Sequence, residues 1–560
     1  MSDNLIEITP SAYVYPLLLK QLLHTSLARS PDQVIVYRER RHTYRQFRDR
    51  VGRLASGLTE LGLKPGEVVA VMDWDSHRYH ECYFTVPMMG AVLQTVNLAL
   101  PPDQLQYILA DTGATTLLVN VDFLPLIEPL AARLENLRRI ILLNDRPELP
   151  TTTLPVAGEY EALIEASSPF FVFPDFDENT RATTFHTTGT TGRPKGVYFS
   201  HRQMVLHVLS TLVELNLSPS QGRLHRDDVY MPMTPMFHVH AWGVPYSATL
   251  CGLKQVYAGR YLPETFLRLI TDEGVTFTHC VPTILQMLLS APGSADVDLS
   301  KLKMVIGGSA LPRQLAKAAM KRGIDIFAGY GLSESCPTLT VMNLSTAQLT
   351  GDIDQEAELR ARPGYQPPLV ELRVGSPDME DVAHDGKATG EVVARAPWLT
   401  MSYLNNPEAS EQLWAGGYMH TGDVGSLNPD GTLRITDRLK DIIKSGGEWI
   451  SSIDLEDIVM LREGVAKAAV TAVHDDKWGE RPLVLVNLLP EFKGKVGRDE
   501  IRAQVTGYVE QGLISKFAVP DRVEFVDTLP LTSVGKIDKK KLREMYRDQL
   551  PAGHMPAAAD

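Results

Sequence analysis

The 560-residue chain has only four cysteines, Cys82, Cys251, Cys280 and Cys336, and no CxxC pair among them. That spacing excludes a disulfide framework and a cysteine-based zinc site, and it suits buried thiols in a reducing compartment. No run of about 18 apolar residues occurs, so no transmembrane segment is expected. Composition leaves peripheral membrane contact open. The first ten residues, MSDNLIEITP, lack the basic start and unbroken apolar stretch of a secretory signal, so the expected location is cytoplasmic. Basic residues are in deficit: 55 Lys and Arg against 68 Asp and Glu give a net charge of −13. That balance argues against a nucleic-acid-binding surface. Internal repeats and low-complexity tracts are missing too.

What is present is an ordinary globular composition, 44% hydrophobic and 22% charged. The length exceeds the roughly 250–300 residues at which one core stops growing, so at least two domains are expected. To about residue 300, helical and strand-like segments alternate, which predicts an α/β fold with parallel sheets. Buried strands are expected at 69–72, 116–119 and 303–306, and helices at 44–61, 202–215 (capped by Ser200) and 312–322. From 365 the texture changes to short strands at 369–374, 390–394 and 433–436. Beyond 441 a smaller α+β pattern follows, with helices at 453–462 and 498–512 and strands near 466–473 and 483–489. The expected division is a large domain over 1–437, a hinge at 438–441 and a C-terminal lid over 442–560.

Residues 186–196 read HTTGTTGRPKG. Glycines let a backbone approach a ligand closely, threonine hydroxyls and free N–H groups crowd donors into a small space, and Lys195 adds a mobile cation. Strand-like runs at 182–185 and 197–199 flank the loop, so a hairpin is expected. A Walker loop would want a glycine before its lysine and a helix directly after; Pro194 stands there instead. A flexible polar turn is the bland reading, but four threonines and a closing lysine make poor linker chemistry.

Further segments share this texture: MFHVHAW at 236–242, GYGLSE at 329–334, HTGD at 420–423, DRLKD at 437–441, KSGGEWISS at 444–452 and PLTSVGK at 530–536. In this order, over roughly residues 20–545, they resemble the adenylate-forming superfamily of acyl-CoA synthetases, luciferases and nonribosomal adenylation domains. The 236–242 and 444–452 segments are similar to those of medium- and long-chain fatty acyl-CoA and methylmercaptopropionate ligases. The resemblance implies a large N-terminal domain of parallel-rich sheets with a small β-barrel-like subdomain, and a mobile α+β C-terminal domain. It implies ATP, Mg²⁺ and coenzyme A as cofactor and co-substrates, a carboxylic acid as substrate, and a homodimer as the expected assembly.

Each segment also has a chemical reading. Attack of a carboxylate on the α-phosphorus of ATP brings anions together, so catalysis is mainly positioning and charge neutralisation. By resemblance, Thr187, Thr188, Gly189, Thr190, Thr191, Gly192 and Lys195 hold the leaving phosphates, and Gly308, Gly329, Tyr330, Gly331 and Ser333 line the nucleotide site. Ser333 stands where the family usually has threonine, and it keeps the hydroxyl. Glu334 is the expected magnesium ligand, because Mg²⁺ takes one or two carboxylates beside phosphate oxygens and water. Asp423 and Arg438 are assigned to the ribose. Lys536 is implied to bridge the substrate carboxylate and the α-phosphate, and Lys539, Lys540 and Lys541 read as solvated neighbours in a basic tail.

His238 and His240, set in a strand, would put both rings on one face. No Cys, Asp or Glu accompanies them locally, so zinc is disfavoured. His238, Val239, Trp242, Gly307 and Phe327 are implied to line the acyl pocket, and Trp242 reads either as a gate across it or as a core tryptophan. Ser445, Gly446, Gly447, Glu448 and Trp449 form the expected CoA loop, with Trp478-Gly479-Glu480 near the CoA nucleotide and Lys440 as hinge. The leading expectation is an AMP-forming acid–CoA ligase, with a medium-chain fatty acid first and long-chain, short thioether or aromatic acids behind. Transfer to a carrier-protein pantetheine is an alternative, and a non-catalytic nucleotide-binding protein is another. The last should have lost Lys195, Glu334 or Lys536, and all three are present.

Overall fold

The computed structural model describes residues 6–187, 193–218, 224–446, 448–531 and 537–547. Valine, isoleucine and leucine runs such as VVAVM and TLLVN form strands buried on both faces, as strands between two helical layers must be. They build a seven-stranded sheet in the order Val156–Glu159, Arg139–Leu143, Thr116–Asn120, Val68–Met72, Val92–Thr95, Arg181–His186, Gly196–Ser200. All its pairs are parallel except the last, which is the expected hairpin. A second sheet of eight strands runs from Thr338–Val341 through Asp325–Gly331, Lys303–Ile306, Phe277–Cys280, Val229–Tyr230, Lys254–Tyr257 and Val34–Tyr37 to Arg40–Thr43. Its inner pairs are parallel and the pair at each end is antiparallel.

Helix starts follow side-chain capping. Ser200 accepts from the Gln203 backbone while the Gln203 side chain reaches back, and Thr43 does the same with Gln46. The β-rich segment forms a four-stranded antiparallel sheet, Glu371–Gly375, Gly390–Arg395, Met419–Leu427 and Leu433–Arg438. Its inner residues join the core of the seven-stranded sheet. From Ile443 onward the chain closes cores of its own. There a mixed sheet pairs Glu448–Ile450, Ile443–Ser445, Gly479–Leu488 and Val465–Asp475, and Arg522–Phe525 adds in parallel.

This last unit is stitched to the end of the four-stranded sheet. Ser451 Oγ donates to the Thr436 carbonyl at 2.6 Å, the Ser452 N–H donates to Asp437 Oδ2 at 2.7 Å, and Arg434 pairs with Asp454 at 2.9 Å. Lys539, read from sequence as a solvated tail lysine, is instead half-buried and paired with Glu456 at 2.9 Å. The helix Lys539–Arg547 brings it there, because its apolar face must pack on the strand Val465–Asp475.

Candidate functional site

The glycine- and threonine-rich hairpin closes at its neck. The Thr187 N–H donates to the Lys195 carbonyl at 2.9 Å, and the Lys195 N–H donates to Thr187 Oγ1 at 3.3 Å. Thr188, Gly189, Thr190, Thr191 and Gly192 lie outside the described residues. The Lys195 ammonium sits 4.5 Å from the centre of the Tyr403 ring, a cation–π geometry. The hydroxyl of the same tyrosine donates to Glu334 Oε1 at 2.7 Å. Tyr403 thus joins the lysine and the carboxylate that the sequence singled out separately. Nothing glycine-rich or charged marks residues 400–405, so Tyr403 escaped the sequence reading. Burial and the Glu334 charge hold its hydroxyl far above the ordinary tyrosine range, which keeps it a donor.

The segment Gly329–Glu334 continues from this junction to a second cluster. Tyr330 donates its hydroxyl to Asp423 Oδ2 at 2.7 Å, and Arg438 Nε lies 2.9 Å from Asp423 Oδ1. The strand register that sets Asp423 opposite Arg438 makes this meeting unavoidable. Asp423 lies within the strand Met419–Leu427 and is nearly buried, and both its oxygens are committed to these donors. A diol could displace either of them. Gly331 is required by packing: a side chain there would overlap the Pro337 carbonyl oxygen. Ser333 opens the short 3-10 turn that carries Glu334, and Gly308 has a positive φ in the turn after Lys303–Ile306.

The segment expected to place two histidines on one strand face does something else. Val239, His240, Ala241 and Trp242 all have positive φ, 46°, 55°, 47° and 59°, forming a left-handed turn that ends at Gly243. Non-glycine residues adopt that conformation at a cost of roughly 1–2 kcal/mol each, so the surroundings must impose it. Three anchors precede the turn. Asp75 Oδ1 accepts from the Met236 N–H at 2.8 Å, Thr95 Oγ1 donates to the Phe237 carbonyl at 2.8 Å, and the Tyr83 hydroxyl donates to the Met236 carbonyl. The turn separates the two rings. His240 is fully buried against Thr183 and its pKa falls to about 3, whereas His238 is only half-buried. The strand alternation that would align both rings on one face is therefore lost in this segment.

Trp242 packs with its ring centre 4.9 Å from that of His279. A Cβ at Gly307 would stand 3.1 Å from the indole and 3.2 Å from the Gly329 carbonyl, so the indole lies directly over this glycine. Val239 and Phe327 are buried in the same core cluster. His279, missed from sequence because it sits in the short buried strand Phe277–Cys280, is held neutral by burial with a pKa near 3.

The residues assigned to a CoA loop form a cluster on the C-terminal unit. Ile443–Ser445 and Glu448–Ile450 pair as antiparallel strands, so Ser445, Glu448 and Trp449 belong to strands rather than to a loop. Gly446 has φ 61° and its N–H donates to the Trp478 carbonyl at 2.9 Å; a side chain there would strike the Phe517 ring at 2.7 Å. Ser445 pairs with Gly479, and Lys444 N–H donates to Glu480 at 2.7 Å, so 444–446 and 478–480 are neighbours. Trp449 is exposed. Lys440 lies exposed between the sheet strand Leu433–Arg438 and this unit. Gly447 and Lys536 lie outside the described residues.

Known proteins resemble this chain in sequence and fold. Residues 23–404 match the model of the AMP-binding enzyme family, and 454–536 match its C-terminal domain. A 3-methylmercaptopropionyl-CoA ligase from Ruegeria lacuscaerulensis is 39% identical, covering 89% of this chain and 90% of its own. A long-chain-fatty-acid–CoA ligase from Thermus thermophilus is also 39% identical, with 91% of each chain covered. A medium-chain-fatty-acid–CoA ligase from Ectopseudomonas oleovorans is 34% identical over 91% of each. Among solved structures, an anthranilate CoA ligase in complex with anthranoyl-AMP superposes with a TM-score of 0.82 at 24% identity, covering 95% of this chain and 98% of that one.

Proposed function

The chain belongs to the AMP-binding enzyme family and is an AMP-forming acid–CoA ligase, and we propose that its acid is a medium-chain fatty acid activated beside Lys195, Glu334 and Tyr330. The observation that carries the site assignment is the continuous segment Gly329–Glu334. It joins Glu334 to Lys195 through Tyr403 at one end, and Tyr330 to Asp423 and Arg438 at the other. ATP laid along it would set the ribose against Asp423 and the phosphates against the hairpin. Arg438 is freed to turn to the sugar as Asp423 accepts the diol. Lys195 gathers charge developing on the departing pyrophosphate, and the hairpin hydroxyls hold that group in line.

Mg²⁺ suits this donor set, because among the described residues no group of three acidic, histidine or cysteine side chains forms a ready cage. The single carboxylate of Glu334 would complete a shell made mostly of phosphate oxygens and water. When bound, the ion supplies charge neutralisation of the polyphosphate. Lys536 is proposed to reach the carboxylate and α-phosphate in the first half-reaction. Rotation about Lys440 then withdraws it and brings the Ser445–Trp449 segment inward for thiol attack.

The acid preference is supported by Trp242 lying over Gly307 and by the Phe237–Trp242 segment, which holds no Lys or Arg to pair with a second carboxylate. Relatives that act on long- and medium-chain fatty acids and on methylmercaptopropionate bracket the choice. The four thiols are free, three of them buried, and no described helix is long and apolar enough to cross a membrane; a cytoplasmic setting is proposed, and a homodimer is the proposed assembly, to be read by light scattering. Pyrophosphate should be released with acid and ATP alone, followed by AMP release on addition of CoA, with the highest kcat/KM between about six and twelve carbons. AMP release indifferent to CoA across all acids would overturn the ligase reading of the site. An optimum at aromatic acids would overturn the substrate.

A further inference from the structure

Tyr403 has no assigned part in the reaction, yet its side chain touches both Lys195 and Glu334. Its loop is tied down on every side. The Leu404 N–H donates to the Gly196 carbonyl at 2.8 Å, directly after Lys195, and Tyr403 bridges to Val197. The Thr400 N–H donates to the Glu334 carbonyl at 2.9 Å. Asn405 Nδ2 donates to the Asp111 carbonyl at 2.9 Å, and the Asp111 carboxylate lies 2.9 Å from His186 Nε2, at the entry to the hairpin. One short loop therefore fixes the hairpin neck, the carboxylate and the tyrosine in a single frame.

The chemistry of the ring explains why a tyrosine stands there. An ammonium and a carboxylate brought this close in a half-buried cleft would pair directly, and that pair would have to be broken before polyphosphate and its cation could enter. Tyr403 offers each charge a different partner. The cation rests on the negative face of the ring, and the anion accepts the hydroxyl proton through one of its two oxygens. The second Glu334 oxygen stays directed by the first.

We propose that Tyr403 is a positioning residue that keeps Lys195 and Glu334 apart and aimed, so that the metal–nucleotide complex meets a preformed site. The proposal rests on the reading of Lys195 and Glu334 as nucleotide-site residues. It separates two contacts that two substitutions can remove in turn. Tyr403→Phe deletes the hydroxyl and keeps the ring; Tyr403→Leu deletes both.

Binding is read by calorimetry with Mn²⁺·ATP, by the electron paramagnetic resonance of bound Mn²⁺, and by calorimetry with ATP in excess EDTA. Loss of a hydrogen bond to a charged group predicts that Tyr403→Phe weakens Mn²⁺·ATP binding about tenfold. Metal-free ATP binding should change less than about twofold in the same variant, and kcat at saturating metal should recover most of its value. Tyr403→Leu should weaken metal-free ATP as well, by roughly two- to fivefold from the lost cation–π contact. Equal weakening with and without metal in Tyr403→Phe would reduce Tyr403 to packing and overturn the proposal, as would binding identical to wild type. If wild-type protein fails to bind Mn²⁺·ATP, the nucleotide-site reading falls instead. Should Tyr403→Leu not fold, Tyr403→Phe alone decides.

Discussion

Replacing Trp242 by alanine tests the acyl pocket most directly, because the structure fixes both what is lost and what cannot move in. The indole is 9% exposed and packs against His279 and over Gly307. A tryptophan buries about 150–250 Å², which at about 25 cal/mol per Å² is worth about 4–6 kcal/mol. Core truncations of this kind cost about 3–5 kcal/mol. Gly307 and the Gly329 carbonyl carry no side chain that could swing into the space, so most of the void should persist. At about 0.8 kcal/mol per methylene, about 4 kcal/mol corresponds to five methylenes of substrate chain. The variant should therefore gain about fourfold in kcat/KM for each added methylene over that range, shifting the optimum to longer acids while activity on short acids falls. Pyrophosphate release across straight-chain acids of four to sixteen carbons reads this out. The backbone supplies an internal control. Trp242 has φ 59°, so Trp242→Gly should be about 1 kcal/mol more stable than Trp242→Ala in urea unfolding. A folded Trp242→Ala protein with an unmoved chain-length optimum would refute the assignment of this indole to the acyl path.

Three other substitutions follow from buried groups. Gly331→Ala drives a methyl into the Pro337 carbonyl, so the Tyr330–Glu334 segment must shift; ATP-dependent pyrophosphate exchange should fall by at least tenfold while the rest of the fold melts nearly normally. Lys539→Ala leaves Glu456 buried without its cation near Asp437, at a cost of about 3–5 kcal/mol, visible as early unfolding of the C-terminal unit in hydrogen exchange. Burial raises the Asp75 carboxyl to about 8, so the folded protein holds a proton there that the unfolded chain releases near pH 4. Stability drawn from that carboxyl is therefore lost as pH rises through this window, at up to about 1.4 kcal/mol per pH unit. Asp75→Asn removes the dependence, so its urea midpoint relative to wild type should climb from pH 5 to pH 8, and parallel curves would contradict it.

Much of the α/β part was legible because its periodicity is local. The runs expected at 69–72, 116–119 and 303–306 became strands within a residue of those limits, and Ser200 caps its helix as its spacing with Gln203 requires. The hairpin between 186 and 196 was legible too, because glycine and threonine composition and flanking β-residues are sequence-local signals. The left-handed turn at 239–242 was not. None of its residues favours positive φ, and the constraint comes from Asp75, Tyr83 and Thr95, which lie more than 140 residues upstream. Lys539 was misread for a similar reason: three consecutive lysines look alike until a helix face sets one of them against a buried glutamate.

The residues that escaped the sequence reading share a physical trait. Tyr403, Asp75 and His279 touch no motif neighbour in sequence, and each acts on a motif residue from a different element. Chemistry-bearing residues announce themselves, because phosphate and metal binding need glycine, hydroxyl and charge at close spacing. The residues that aim them need only the right shape and one polar atom, and a buried tyrosine or histidine satisfies that without any local signature. Asp75 shows the cost of such a role. Burial suppresses its ionisation even though the Met236 N–H and the Tyr261 hydroxyl both favour the charged form, and those two bonds fix the start of a turn that the chain would not otherwise adopt. Strain in the turn that carries Trp242 is thus supported by a buried carboxyl, just as Lys195 and Glu334 are both touched by one buried phenol.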